Sequence, residues 1–264
     1  ALDTLSLQAQ PGEHIAILGR TGCGKSTLLQ LLTRAWDPQH GEILINEQPI
    51  SALSETTLRQ SISEWITRRY GIAAPDPASE IVPVNGSREA LFAFAQAVID
   101  PTPNEKPVVL SPNPFYQIYE GAALLAGAEP YYVNCTAETQ FQPDWDSVPD
   151  SVWSRTQLVY VCSPGNPTGA VASLDDWKRL FALSDRYGFV IASDECYSEI
   201  YFGEDKPLGG LEAAVKLGRD FTRLVMFSSL SKRSNVPGMR SGFVAGDAAI
   251  LKQFLLYRPY HGCA

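Results

Sequence analysis

Lys232 stands in Ser229-Leu-Ser-Lys232-Arg-Ser-Asn-Val-Pro-Gly238-Met-Arg240-Ser-Gly242, an amine eight residues ahead of a guanidinium, with small hydroxyls beside the amine. An amine condenses with an aldehyde, and a fixed cation with a hydroxyl holds a phosphate. The run therefore suits a small molecule that carries both groups. Two upstream runs, Ser163-Pro-Gly-Asn166-Pro-Thr-Gly169 and Ser193-Asp194-Glu-Cys-Tyr197, likewise follow short apolar stretches. Near the start, Gly19-Arg-Thr-Gly22-Cys-Gly24-Lys25-Ser26-Thr27 has the spacing of a P-loop. Its glycines let backbone wrap a phosphate, Lys25 reaches the outer oxygens, and the Ser26 hydroxyl suits magnesium. Gly19, Gly22, Gly24, Lys25, Ser26 and Thr27 are thus the candidates for holding ATP.

Pyridoxal phosphate is an aldehyde that bears a phosphate, and the remaining residues suit its other groups. A carboxylate at Asp194 would keep the ring nitrogen protonated, so that the ring draws electrons. Asn166 and Tyr197 can donate to the phenolic oxygen. Gly86-Ser87-Arg88 opens a helix whose free amides suit the phosphate, with Arg240 and Ser229 completing the cup. Tyr116 could stack on the ring or equally pack in the core. Lys232, Asp194 and Tyr197 are the catalytic candidates.

These residues need elements to carry them to one place. Residues 14–18 read as a buried strand, 25–33 as the helix after the glycine loop, and 41–46 as another strand. Leu58, Ile62, Trp65 and Ile66 give 54–71 the spacing of an amphipathic helix stopped by Gly71. Strands are expected at 81–84, 108–110, 130–133, 157–162, 189–193, 224–228 and 241–245. Helices are expected at 87–98, 119–126, 174–187 and 248–257. Strands alternating with helices make an α/β fold with a mostly parallel sheet covered on both faces. In such sheets ligands collect beyond the carboxyl ends of strands, where Asn166, Asp194, Tyr197, Ser229 and Lys232 all fall.

At 264 residues and 45% apolar, the chain can bury a sizeable core. A net charge of -8 disfavours nucleic acid as a partner. Cysteines 23, 135, 162, 196 and 263 form no CxxC pair, which suggests free thiols and a cytoplasmic setting. No apolar stretch approaches a membrane span. His14, His40 and His261 lack metal-ligand spacing.

From about residue 63 to 264 the sequence resembles the class I/II aminotransferases of the fold-type I pyridoxal phosphate family. Asn166-Pro-Thr-Gly169, Ser193-Asp-Glu-Cys-Tyr197 and Ser229-Leu-Ser-Lys232 through Arg240 carry that resemblance. Within it, Asn85-Gly-Ser-Arg-Glu-Ala-Leu-Phe92 is most similar to the succinyldiaminopimelate branch. The resemblance implies a seven-stranded large domain, a covalent link at Lys232, a homodimer, and amino acid and 2-oxo acid substrates. It also implies a small C-terminal domain and an N-terminal arm that these residues do not supply, so reduced activity is expected. Residues 1–62 resemble the start of an ABC transporter nucleotide-binding domain, on Leu5 to Gly12, the P-loop, and Trp36 to Asn46. They are most similar to the thiol exporters associated with cytochrome bd. The signature, Walker B and switch motifs expected of that family do not follow, so ATP hydrolysis is not expected. A partial P-loop unit at 1–62 joined to an aminotransferase large domain at 63–264 reads as a fusion or chimera. The alternatives are an ATP-binding module and a chain that binds neither ligand.

Overall fold

The structure is a computed structural model that describes residues 2, 4–10, 12–32, 36–45, 47–52 and 54–258. Helix α1 (Lys25–Leu32), the two-residue strands β1 (Leu44–Ile45) and β2 (Gln48–Pro49), and helix α2 (Glu55–Tyr70) come first. There follow β3 (Ile81–Val84), α3 (Ser87–Val98), β4 (Val108–Asn113), α4 (Ile118–Leu125), β5 (Glu129–Asn134), α5 (Asp150–Trp153) and β6 (Thr156–Cys162). The chain continues through α6 (Leu174–Tyr187), β7 (Val190–Asp194), α7 (Gly210–Lys216), β8 (Leu224–Ser229), α8 (Leu230–Arg233), β9 (Gly242–Gly246) and α9 (Ala248–Tyr257).

Seven strands form one sheet in the order β3-β9-β8-β7-β6-β4-β5. The pairs from β8 to β5 are parallel, whereas β9 runs antiparallel to both β8 and β3. Both faces are covered, which explains the unbroken apolar runs of β6 and β8. Alternation splits β8 cleanly: Leu224 and Met226 join Ile66, Trp177 and Phe181 on one face, while Val225 and Phe227 join Phe94, Tyr119 and Phe254 on the other.

Local chemistry fixes the helix ends. Ser54 Oγ accepts from the Thr57 amide at 3.1 Å to start α2, and Gly71, at φ 65°, ends it. Ser173 and Asp176 form a capping box on α6, and Gly188 closes that helix at φ 82°. The sequence-based limits of α3, α6 and α9 match the structure, as does the seven-stranded count.

The first segment departs from expectation. No strand forms at 14–18, where Ile15, Ile17 and Leu18 are 39%, 38% and 89% exposed. A strand needs a neighbour to satisfy its amides and carbonyls, and the sole ladder among the described residues before α2 is the β1–β2 hairpin. For the same reason the strand expected at 41–46 shrinks to Leu44–Ile45. Thr33, Asn46, His261 and Cys263 lie outside the described residues. No helix among the described residues is long and apolar enough to cross a membrane.

Candidate active site

The carboxyl ends of β6, β7 and β8 share one rim because their registers align: Cys162 pairs with Asp194, and Asp194 with Phe227. Neighbouring strands lie roughly 5 Å apart, so the loops that leave them must crowd together. The Ser163 amide donates to the Asp194 carbonyl at 3.2 Å, which fastens the Asn166 turn to the end of β7.

Asp194 is 5% exposed. Its Oδ2 accepts from the Tyr119 hydroxyl at 2.7 Å and its Oδ1 from the Cys196 amide at 3.3 Å. Burial pushes this carboxyl above its ordinary value, and the bonds from Tyr119 and Cys196 pull it back in part. No cation is paired with it among the described residues. A buried carboxylate in that condition fits the protonated ring nitrogen of pyridoxal phosphate.

Gly86, Ser87 and Arg240, expected to form a phosphate cup, meet at the start of α3. Gly86 sits at φ 121°, and a Cβ there would lie 2.4 Å from Arg240 Nη2. Glycine thus leaves room for the guanidinium at the exposed amides of the helix. Arg240 pairs with Glu89 Oε2 at 2.6 Å, an exchangeable partner at a half-exposed position. Ser87 Oγ meets the Cys196 thiol at 3.0 Å, joining the cup to the loop that follows Asp194. Ser229, also buried, uses its hydroxyl as the cap of α8, accepting from the Ser231 amide at 3.0 Å. Arg88 donates to the Tyr116 hydroxyl, so those two act as one unit beside the cup.

Tyr116 is half-buried, edge-on to Tyr119 at 5.9 Å. Tyr197 is also half-buried; burial raises its phenol, with Cys162, Asp194 and Tyr116 close enough to contribute. Asn166 is half-buried and lines a cavity of about 30 Å³ with Cys162, Cys135 and Trp177. That space holds one or two waters and is far too small for the cofactor, so it adjoins the site without being it. Lys232 is exposed on α8, one short turn beyond β8, without a side-chain partner among the described residues.

Three groups escaped the sequence reading. Tyr119 lies in the first turn of α4, three residues after Tyr116, whose carbonyl accepts from its amide at 3.0 Å. Buried Glu195 accepts from Tyr70, Ser193 and the Gly210 amide, at 2.6, 2.8 and 2.8 Å. Arg69, also buried, holds Glu199 and the carbonyls of Ser198 and Pro207. Together the last two tie the end of α2 to residues 195–207, beyond the end of β7. Arg233 adds a second tie, its guanidinium 3.9 Å from the Trp65 ring.

The P-loop residues are placed differently. Gly22 and Gly24 take positive φ, yet Lys25 Nζ turns back onto the carbonyls of Gly19 and Arg20 at 2.6 and 2.9 Å. Ser26 is exposed, Thr27 is half-exposed, and no cluster of metal-binding side chains occurs among the described residues. Helix α1 buries no residue, and it leans on Pro237–Met239.

The seven-stranded, mostly parallel sheet with helices on both faces is the α/β fold that aminotransferases share. The chain belongs to the class I and II aminotransferases, whose family profile matches residues 51–259. A second profile, that of the ABC transporters, matches residues 2–71, so both cover 51–71. An LL-diaminopimelate aminotransferase of Syntrophobacter fumaroxidans is 35% identical over 85% of this chain and 54% of its own. One from Aquifex aeolicus is 34% identical over 78% and 51%. The chain thus spans about half the length of the curated relatives it matches. Among solved structures, an aminotransferase of Neisseria meningitidis is 55% identical, with TM-score 0.77, over 87% of this chain and 61% of that one.

Proposed function

We propose that residues of this chain hold pyridoxal phosphate at the rim of the sheet and serve the transfer of an amino group from an amino acid to a 2-oxo acid. The buried, cation-free carboxylate of Asp194 beside the Gly86–Arg240 cup carries this reading. When bound, the cofactor supplies an aldehyde carbon and an electron-drawing ring. Lys232 would provide the amine that links to the aldehyde and, once free, moves a proton at the substrate carbon. Asp194 would hold the ring nitrogen, Asn166 and Tyr197 the phenolic oxygen, and Gly86, Ser87, Arg88, Ser229 and Arg240 the phosphate. Tyr116 would cover the ring.

The relatives' names favour a diaminopimelate-type amino acid as one substrate, and a second copy or a further domain would complete the substrate-facing wall. The four described cysteines, all free thiols, support a cytoplasmic setting. We place the joint between the two parts inside α2, where both family profiles overlap, and assign the P-loop segment no ATP hydrolysis. Its folded-back Lys25 and missing strand support that assignment.

Borohydride treatment after addition of pyridoxal phosphate should fix the cofactor to the peptide containing Lys232. Lys232→Ala should abolish the adduct and Lys25→Ala should leave it intact. Absence of any adduct on the wild-type chain would reject the reading.

A further inference from the structure

We propose that Tyr119 is a positioning residue that aims Asp194 and keeps it ionised for a cationic ring nitrogen. The inference rests on the cofactor site described above. Tyr119 is wholly buried and stacks on Tyr160, with ring centres 4.4 Å apart and planes within 14°. Tyr160 is itself fixed, its hydroxyl donating to the Leu91 carbonyl at 2.8 Å. The Tyr119 hydroxyl therefore has little freedom to leave Asp194 Oδ2, which it meets at 2.7 Å. The proton belongs to the phenol, because burial and the neighbouring carboxylate push Tyr119 well above its ordinary value.

Of the other groups around Asp194, Cys196 also favours the ionised carboxylate, by less than Tyr119 does. Cys162 is pushed up to about 12 by burial and by Asp194, and burial raises the Cys196 thiol and the Tyr197 phenol. Tyr160 is raised in the same way. These neutral groups supply no positive charge. Tyr119 makes the shorter contact, 2.7 Å to Oδ2, while Oδ1 accepts the longer 3.3 Å bond from the Cys196 amide.

Tyr119→Phe keeps the stacked ring and removes only the donor. In the empty protein, carboxyl carbon-13 resonances, assigned with Asp194→Asn, should show Asp194 titrating at higher pH in the variant. An unchanged titration overturns the inference whatever the cofactor does. In the loaded protein, affinity for pyridoxal phosphate should fall by about tenfold. Affinity for its 1-deaza analogue, in which CH replaces the ring nitrogen, should not change. Equal losses for both compounds, or a loss for neither, would show that Tyr119 only packs and overturn the assignment. Failure of the wild-type chain to take up pyridoxal phosphate would instead defeat the reading of the site. The empty-protein titration would still decide whether Tyr119 governs Asp194.

Discussion

Residues before α2 and residues after it carry similarly legible motifs, yet only the second set is supported by a core. Ile15, Ile17 and Leu18 have the composition of a buried strand and remain exposed, whereas Val225, Met226 and Phe227 of β8 are fully buried. The difference is the neighbours: β8 lies between β7 and β9, while 14–18 has no strand beside it among the described residues. A glycine loop or a lysine keeps its local geometry without a sheet, but it loses the platform that aims it. Arg240 reaches the start of α3 across 151 residues of sequence, whereas Lys25 finds only its own loop.

Substitutions in the two regions should separate them. Phe94→Ala, which removes a ring packed edge-on against Phe227 and Phe254, should cost about 3–5 kcal/mol in denaturant unfolding. Tyr70→Phe takes a donor from buried Glu195 and should cost about 1–3 kcal/mol in the same assay, loosening the tie between α2 and the site loop. Asp194 supplies a pH test. Burial raises its carboxyl, so the unfolded chain gives up that proton first, and the folded state is favoured most below the unfolded pKa of about 3.9. That advantage is lost as pH rises through the folded value. Melting temperature of the empty Asp194→Asn protein should therefore fall less steeply between about pH 4 and neutrality than that of the wild type. At the small end, Leu18→Ala should change stability by no more than about 0.5 kcal/mol. A loss there as large as that of Phe94→Ala would show that the first segment has a core of its own.

Much of this was legible in the sequence, for identifiable reasons. Helix α6 announces both ends through Ser173, Asp176 and Gly188, and its limits needed no tertiary knowledge. Strands β6 and β8 carry the apolar runs Leu158–Val161 and Leu224–Phe227, the pattern of a sheet covered on both faces. Helix α7 has no counterpart among the helices expected from the sequence, and it opens on Gly209 and Gly210; a Cβ on the second would stand 3.0 Å from the Trp177 ring, tighter than ordinary packing. Tyr119 and Glu195 were also missed. A buried tyrosine reads as packing until its hydroxyl is seen to have a carboxylate to hold, and the Tyr70–Glu195 pair spans 125 residues that no spacing rule connects.

Helix α2 sets a condition on any joint between the stretches that the two family profiles match. Each residue inserted or lost in a helix rotates everything beyond it by about 100°. Ile66, Arg69 and Tyr70 point inward together, so one residue too many near position 62 would turn them away from the sheet and release Glu195 and Glu199. A splice within this stretch is therefore tolerated only in phase, with exchanged pieces of matching length.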